Sequence, residues 1–293
     1  MEFKPDFELL KKALPDIKII RFVAMGGYKA VYEAIINGSK EALKLAYIPR
    51  EDDRSEEVPE TLLRIKREIE SLNRCKCPYL VKLGSLQPQK YTIGSRDYIV
   101  YSEEFLEGKS LSEFIKEGFK PTYDQCKRLL LCFLHVIKEL KMNKLIHRDI
   151  KPANVLALDD PDRPYVVLDL GIAFKLDSTT ITRNPDIRMG TLPYMPPEAF
   201  DVNFHQQIDF RSDLYSAALT TYEYASGINP FVQGSRNDPT TLPRITSIIP
   251  KPLITYRPDF PEAFCQIIDQ LMKRIPALRP SNIEGLIKKM EAL

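Results

Sequence analysis

Short runs rich in β-branched and other apolar residues, separated by turn residues, occupy the first part of the chain and predict β-strands. Val31 to Ile36 and Lys40 to Ala46 are strand-like runs, and the Asn37-Gly38 pair between them is a strong signal for a tight hairpin. Ile17 to Ala24 is a further β-rich run, which breaks at Gly26-Gly27. The sequence therefore predicts three antiparallel strands at its start.

A helix and two more strands are predicted to complete this β-rich part. Apolar residues recur at helical spacing between Val58 and Arg74, which predicts a helix with one buried face. The residues of that face are Leu62, Ile65, Ile69 and Leu72. The two strands are predicted at Leu80 to Leu86 and Asp97 to Glu103. These elements form a small lobe rich in β-structure.

The periodicity then changes to that of helices. Ser110 to Glu113 and Thr122 to Gln125 fit capping boxes, each of which opens a helix. A short strand pair is predicted at Val155 to Leu158 and Tyr165 to Leu168. Six prolines between positions 239 and 261 exclude a regular helix there. We expect a second, larger and mainly helical lobe, with the chain passing from one lobe to the other near residues 104 to 110.

The composition of the chain excludes some classes of function but does not identify one. The 293 residues include 42 Lys+Arg and 40 Asp+Glu, for a net charge of +2, and both signs are spread along the chain. This argues against a surface of one sign that binds nucleic acid. No secretory signal is legible, and the longest apolar stretch, Leu129 to Ile137, is too short to cross a bilayer. We expect a soluble, cytoplasmic protein that binds neither nucleic acid nor membrane.

Five cysteines and three histidines offer little for a metal or redox site. Cys75-Lys76-Cys77 has the wrong spacing for the usual metal or redox pair. We interpret the cysteines as reduced and structural.

The segment from His147 to Asn154 carries the strongest chemical signal. It places the Asp149 carboxylate, the Lys151 ammonium two residues later and the Asn154 carboxamide three residues further on, in a loop between a long helix and a strand. This segment resembles the catalytic loop of the eukaryotic-type protein kinases. The resemblance implies that Asp149 accepts or orients the substrate hydroxyl proton, Lys151 neutralises the transferring phosphoryl group and Asn154 holds a metal. Lysine two residues after the aspartate is the serine/threonine kinase pattern. The alternative is a polar loop without chemistry.

Asp169-Leu170-Gly171 follows an apolar strand, where the family has its magnesium-binding Asp-Phe-Gly. A carboxylate at a strand end suits a hard cation that bridges phosphates. The resemblance therefore makes Asp169 a metal ligand. Leu170 replaces the usual Phe, which changes how the motif packs but keeps the ligand.

Lys44 matches the family lysine that binds nucleotide phosphates. It shares a strand face with the small residues Ala42 and Ala46, so it has room to lie along a ligand. By resemblance, Glu68 on the following helix is its inward partner. The alternatives are an edge-strand lysine that opposes aggregation and a surface pair between Glu68 and Arg64.

The phosphate-covering loop of the family is only partly matched. Its pattern aligns with residues 24 to 31, in which Gly26 and Val31 are kept and Ala24 and Lys29 replace the first and third glycines. Glycine lets backbone N–H groups approach phosphate closely, so these changes affect how closely this loop can cover the phosphates. We count Ala24, Gly26, Val31 and Ala42 among the ATP-binding residues that the resemblance implies.

The strand that ends near Glu103 resembles the connection between the lobes. On this alignment Glu104 to Leu106 supply backbone groups to the adenine edge. Glu103 falls where the side chain at the back of the nucleotide pocket is usually apolar or small.

Further landmarks extend the resemblance from about residue 17 to about residue 288. Gly190 to Glu198 resembles Gly-Thr-x-x-Tyr-x-Ala-Pro-Glu, with Pro196 in place of Ala. Asp213 matches the helix residue that supports the catalytic loop, and Arg279 matches the arginine that pairs with Glu198. These landmarks are structural, and they occur in the order of the family.

Residues 172 to 195 match the activation loop of the family. Arg148, with Lys175 or Arg183, would receive a phosphate on this loop and order it. The alternative is a flexible polar loop. The hydroxyls that we consider regulatory are those of Thr179, Thr180, Thr182 and Thr191.

The sequence thus predicts an α+β protein of the bilobal protein kinase fold: an N-terminal extension (1–16), a small lobe of an antiparallel sheet with one helix (17–106) and a mainly helical lobe (107–293).

The resemblance implies a serine/threonine protein kinase that uses ATP and Mg²⁺, with Mn²⁺ as an alternative, and acts on protein substrates. Autophosphorylation in trans would involve a homodimer. The alternatives are a nucleotide-binding pseudokinase scaffold, favoured by the altered glycine loop, and a small-molecule kinase, which usually lacks the Gly-Thr-x-x-Tyr and Pro-Glu landmarks.

Overall fold

The chain folds into two compact units. The computed structural model describes residues 4–26, 29–48, 65, 69–170, 174–175, 191–201, 208–234 and 239–293, with the backbone alone at 174–175. The small unit is made of Met1–Arg74 and Val81–Glu107, and the large unit is made of Cys75–Leu80 and Gly108–Leu293. An antiparallel sheet dominates the described part of the small unit and helices dominate that of the large unit, so the predicted α+β class is confirmed.

Strands and helices are numbered in chain order over the described residues. The strands are β1 (Lys18–Gly26), β2 (Lys29–Ile36), β3 (Ser39–Ile48), β4 (Gln89–Ile93), β5 (Arg96–Glu104), β6 (Gly108–Ser110), β7 (Leu145–Ile146), β8 (Val155–Leu158), β9 (Tyr165–Val167) and β10 (Phe174–Lys175). The helices are α1 (Phe7–Ala13), α2 (Leu111–Lys116), α3 (Tyr123–Met142), α4 (Phe210–Ser226), α5 (Thr241–Ser247), α6 (Glu262–Leu271) and α7 (Ile283–Glu291).

The small unit is built on a five-stranded antiparallel sheet with the order β1-β2-β3-β5-β4. The predicted Asn37-Gly38 hairpin is confirmed: both residues have positive φ, 51° and 81°, as the tightest hairpin turns require. β3 lies in the middle of the sheet, so its residues from Glu41 to Ala46, Lys44 among them, pair with a strand on each side.

One face of this sheet carries the main hydrophobic cluster of the unit. Tyr32, Leu43 and Leu45 are fully buried there, together with Leu10 from α1. The Asp6 side chain caps α1 by accepting hydrogen bonds from backbone N–H groups of the first turn. The N-terminal segment therefore contains a short helix that the sequence analysis did not predict.

The other face of the sheet receives the predicted amphipathic helix. Ile65 and residues 69–74 are helical, and Ile65 and Ile69 pack with Ala46 and Tyr101. Leu72 is buried as well. The predicted apolar stripe is thus confirmed at these three positions, while Leu62 lies outside the described residues.

The strand predicted at Leu80 to Leu86 is wrong. The segment forms only isolated bridges at Leu80 and Leu83, because the Ser85 N–H group donates to the Glu41 carboxylate instead of continuing a ladder. A side chain at Gly84 would collide with the same carboxylate. The strand that pairs with β5 on the side away from β3 is β4. It is an edge strand whose mostly exposed residues give a weak hydrophobic pattern.

The exclusion of helix between 239 and 261 is also wrong. α5 begins at Thr241 and contains Pro243. Proline is tolerated there because the N–H groups of the first helical turn have no acceptor within the helix.

In the large unit, α3 packs against α4 and α7. Both predicted capping boxes are confirmed, at Ser110 with Glu113 and at Thr122 with Gln125. Two small sheets, β6-β8-β9 and β7-β10, flank the polar loop that follows α3. Among the described residues, no helix is both long and apolar enough to cross a membrane.

Candidate active site

The loop between β7 and β8 brings the predicted catalytic side chains into one hydrogen-bonded cluster. The Lys151 ammonium lies 2.7 Å from Oδ2 of Asp149. The Asn154 carboxamide donates to the same oxygen at 3.0 Å and to the Asp149 carbonyl at 2.9 Å. The Asp149 and Lys151 side chains are 16% and 21% exposed, so both remain open to a substrate.

Thr191 completes this cluster from a distant part of the chain. Its hydroxyl donates to Oδ1 of Asp149 at 2.8 Å and accepts from Lys151 at 2.6 Å, and its backbone N–H donates to the same Oδ1 at 3.1 Å. From the sequence, Thr191 was predicted only as a regulatory hydroxyl. Its place in the Gly-Thr landmark is the one sequence signal that could have linked it to the site.

A buried carboxylate on α4 supports the loop. Asp213 accepts hydrogen bonds from the backbone N–H groups of His147 at 2.7 Å and Arg148 at 2.9 Å. Burial raises the pKa of Asp213, and these N–H groups act in the opposite direction by favouring its charged form. Arg148 has a positive φ of 69°, so the loop holds a conformation that few non-glycine residues adopt. The predicted supporting contact is confirmed.

The β8-β9 hairpin places Asn154 and Asp169 at the same end. Val155 pairs with Val167, and the Leu168 N–H donates to the Asn154 carbonyl at 2.8 Å. Asp169 has a φ of 59°, in the left-handed region, so the extended conformation of β9 does not continue through this residue. A carboxylate and a carboxamide supply the hard oxygen donors that Mg²⁺ prefers, so the two residues fit a magnesium site. Leu170 is fully buried, and Gly171 lies outside the described residues.

Lys44 lies on β3 in the small unit, on the sheet face opposite to Leu43 and Leu45. Val31 pairs directly with it on β2. Its ammonium lies 2.6 Å from the carboxylate of Glu103 on β5. The predicted partner, Glu68, lies outside the described residues.

Most of the other predicted nucleotide-binding residues lie on the same sheet. Ala24 pairs with Val31, and Gly26 pairs with Lys29, at the ends of β1 and β2. Glu104 ends β5, and Leu106 follows in a short segment without regular structure. Ala42 pairs with Glu103 across β3 and β5. The roles of these residues in binding ATP stay predictions.

A sequence model of the protein kinase domain matches residues 17–290. The chain belongs to the protein kinase family. Protein kinases use ATP and a divalent metal, generally Mg²⁺, and act on protein substrates. The predicted family and fold are therefore confirmed.

Several curated protein kinases resemble this domain. A probable serine/threonine-protein kinase of Clostridium perfringens is 26% identical over 281 residues, which cover 94% of this chain and 38% of the relative. Serine/threonine-protein kinase PrkC of Bacillus subtilis is 29% identical over 73% of this chain and 31% of its own length. Mitogen-activated protein kinase kinase 1 of Arabidopsis thaliana is 27% identical over 94% of this chain and 74% of its own length. The chain thus spans less than two fifths of the two bacterial relatives.

The protein kinase domain also contains its predicted structural ion pair. Arg279 makes two hydrogen bonds to the Glu198 carboxylate, at 2.6 and 2.8 Å, and both side chains are almost completely buried. Nearby, the Tyr194 hydroxyl donates to Glu223 at 2.7 Å. These contacts confirm the pairing that the landmarks predicted, and they anchor the segment that follows Thr191.

Most of the predicted activation loop lies outside the described residues of the kinase domain. This applies to Thr179, Thr180 and Thr182. Their regulatory role stays a prediction, as does that of Arg148.

Proposed function

We propose that this protein kinase domain transfers the γ-phosphoryl group of ATP to serine and threonine hydroxyls of proteins. The observation that carries the proposal is the cluster of Asp149, Lys151, Asn154 and Thr191. It joins a carboxylate that accepts a proton to an ammonium that neutralises phosphate, within hydrogen-bond distance of each other. Lysine two residues after the aspartate favours serine and threonine over tyrosine as acceptors.

In the proposed reaction, the substrate hydroxyl oxygen forms a bond to the γ-phosphorus while the bond to the β-phosphate oxygen breaks and ADP leaves. Asp149 takes the hydroxyl proton, and Lys151 donates hydrogen bonds to the transferring phosphoryl oxygens. Lys44 binds the phosphates of the nucleotide. Asn154 and Asp169 would hold Mg²⁺, or Mn²⁺ in its place, and the metal supplies neutralisation of phosphate charge.

The proposal is tested by incubating the chain with γ-³²P-labelled ATP, Mg²⁺ and a general protein substrate, followed by analysis of the labelled amino acids. We expect label on serine and threonine. Label on tyrosine alone would contradict the acceptor class. Bound nucleotide without any transfer would favour the pseudokinase scaffold.

Removing the Thr191 hydroxyl should slow transfer. Thr191→Val keeps the shape of the side chain but removes the group that bonds both Asp149 and Lys151, so we expect kcat to fall about tenfold. Thr191→Ser keeps the hydroxyl and should retain most of the activity. The measurement is kcat at saturating ATP and substrate. Equal kcat values for the valine and serine variants would show that the hydroxyl does not support catalysis.

We further propose that the domain phosphorylates its own activation loop. After incubation with ATP and Mg²⁺, mass spectrometry should find phosphate on Thr179, Thr180 or Thr182. If the reaction occurs in trans through a homodimer encounter, its initial rate will rise with the square of the protein concentration. Full activity without phosphate on residues 172 to 191 would remove this regulatory step.

A further inference from the structure

We infer that Glu103 is a positioning residue for nucleotide binding, because it holds the Lys44 ammonium on the sheet face that carries Val31 and Ala42. This inference rests on the proposed function, in which Lys44 binds nucleotide phosphates. The sequence alone gave Glu103 no role, since the residue at this position is usually apolar or small.

The two side chains form a short, buried ion pair. The Lys44 Nζ atom lies 2.6 Å from Oε1 of Glu103, and their side chains are 10% and 3% exposed. The register explains the contact: Ala42 pairs with Glu103 and Lys44 with Tyr101, so the two charged residues are diagonal neighbours on one face of β3 and β5.

The backbone around Glu103 is held on both sides. On one side β5 pairs with β3. On the other side the Glu104 N–H donates to the Lys82 carbonyl at 2.9 Å, and the Gly84 N–H donates to the Ser102 carbonyl at 2.8 Å. The backbone at Glu103 is therefore held in place by the sheet, and its side chain starts from the same sheet face as that of Lys44.

This arrangement gives Lys44 a partner that does not depend on a helix. By resemblance, the usual partner is Glu68 on the helix that follows β3. An ammonium has three N–H donors, so Lys44 can bond Glu103 and still donate to a phosphate. A buried lysine without a carboxylate would lose solvation and move toward water. Glu103 therefore keeps the ammonium where it can bind phosphate.

The test is the Kd of ATP with Mg²⁺ for the full chain, measured by titration calorimetry. Glu103→Met removes the carboxylate at similar side-chain length, and we expect the Kd to rise about tenfold. Glu103→Gln keeps an oxygen that accepts from the ammonium and should give an intermediate Kd. In steady-state assays the KM for ATP should rise more than kcat falls.

Two further variants separate positioning from general damage. Glu41→Gln neutralises a second buried carboxylate of the same sheet, which lies on β3 and contacts Ser85 and Ser102 instead of Lys44, and should leave the Kd unchanged. In a Lys44→Met background, Glu103→Met should cause no additional loss of affinity, because Glu103 acts through Lys44.

A folded Glu103→Met variant with the Kd of the unaltered chain would overturn the inference. A tenfold loss that persists in the Lys44→Met background would overturn it too. If binding depends on Glu103 but no phosphoryl group reaches protein, the proposed function fails and the positioning role stands. If transfer occurs and the Kd does not change when Glu103 is replaced, the proposed function stands and the positioning role fails.

Discussion

Replacing Asp149 with asparagine is expected to lower kcat for phosphoryl transfer by about a thousandfold, the range seen when a general base is lost. The carboxamide has nearly the same shape and still accepts one of the hydrogen bonds from Thr191, but it cannot take up the hydroxyl proton. The measurement is the initial rate of label transfer from ATP to protein at saturating substrates.

The loss should occur without unfolding. The Asp149 side chain is partly exposed, so we expect the melting temperature to change little. Asp159→Asn is a matched control, because Asp159 is an exposed aspartate of the same unit that follows β8, and it should keep full activity. Retained turnover in Asp149→Asn would assign the base to another group.

Replacing Lys44 with methionine is expected to reduce stability as well as activity. The substitution leaves the Glu103 carboxylate buried without the ammonium that now lies 2.6 Å away. Breaking a buried ion pair in this way typically costs about 3 kcal/mol or more. The melting temperature should then fall by roughly 6–12 °C, measured by differential scanning calorimetry.

The double variant Lys44→Met with Glu103→Met should recover most of this loss. Two apolar side chains of similar volume can replace a buried ion pair at little cost. Activity should stay low, because the phosphate-binding lysine is gone. Two results would contradict a stabilising role for the buried ion pair. One is a Lys44→Met variant as stable as the unaltered chain, and the other is a double variant no more stable than the single one.

These expectations bear on the choice of an inactive variant. Lys44→Met combines lost chemistry with lost stability, so its low activity has two causes. Asp149→Asn changes the chemistry alone and is the cleaner choice.

Local patterns were enough to predict the features that depend on a few neighbouring residues. The Asn37-Gly38 turn needs only two residues with positive φ, and the capping boxes at Ser110 and Thr122 need only a side chain three positions away. The cluster of Asp149, Lys151 and Asn154 lies on one short loop, so its spacing constrains its geometry. The Glu198 to Arg279 pair is distant in sequence, and only the family resemblance predicted it.

Contacts set by strand register were not predictable. Glu103 reaches Lys44 because β3 and β5 pair with Ala42 opposite Glu103, and nothing in either strand sequence specifies that alignment. The same holds for Glu41, whose bond to the Ser85 N–H group interrupts the strand expected at Leu80 to Leu86. These buried polar contacts depend on tertiary packing, which overrides local propensity.

The central claim, that this protein kinase domain phosphorylates serine and threonine, is tested most directly by one measurement. The chain and its Asp149→Asn variant are compared, at equal concentration and equal bound nucleotide, for transfer of label from γ-³²P-labelled ATP to protein. We expect phosphoserine and phosphothreonine with the unaltered chain and about a thousandfold less with the variant. No transfer by the unaltered chain, or equal transfer by both, would contradict it.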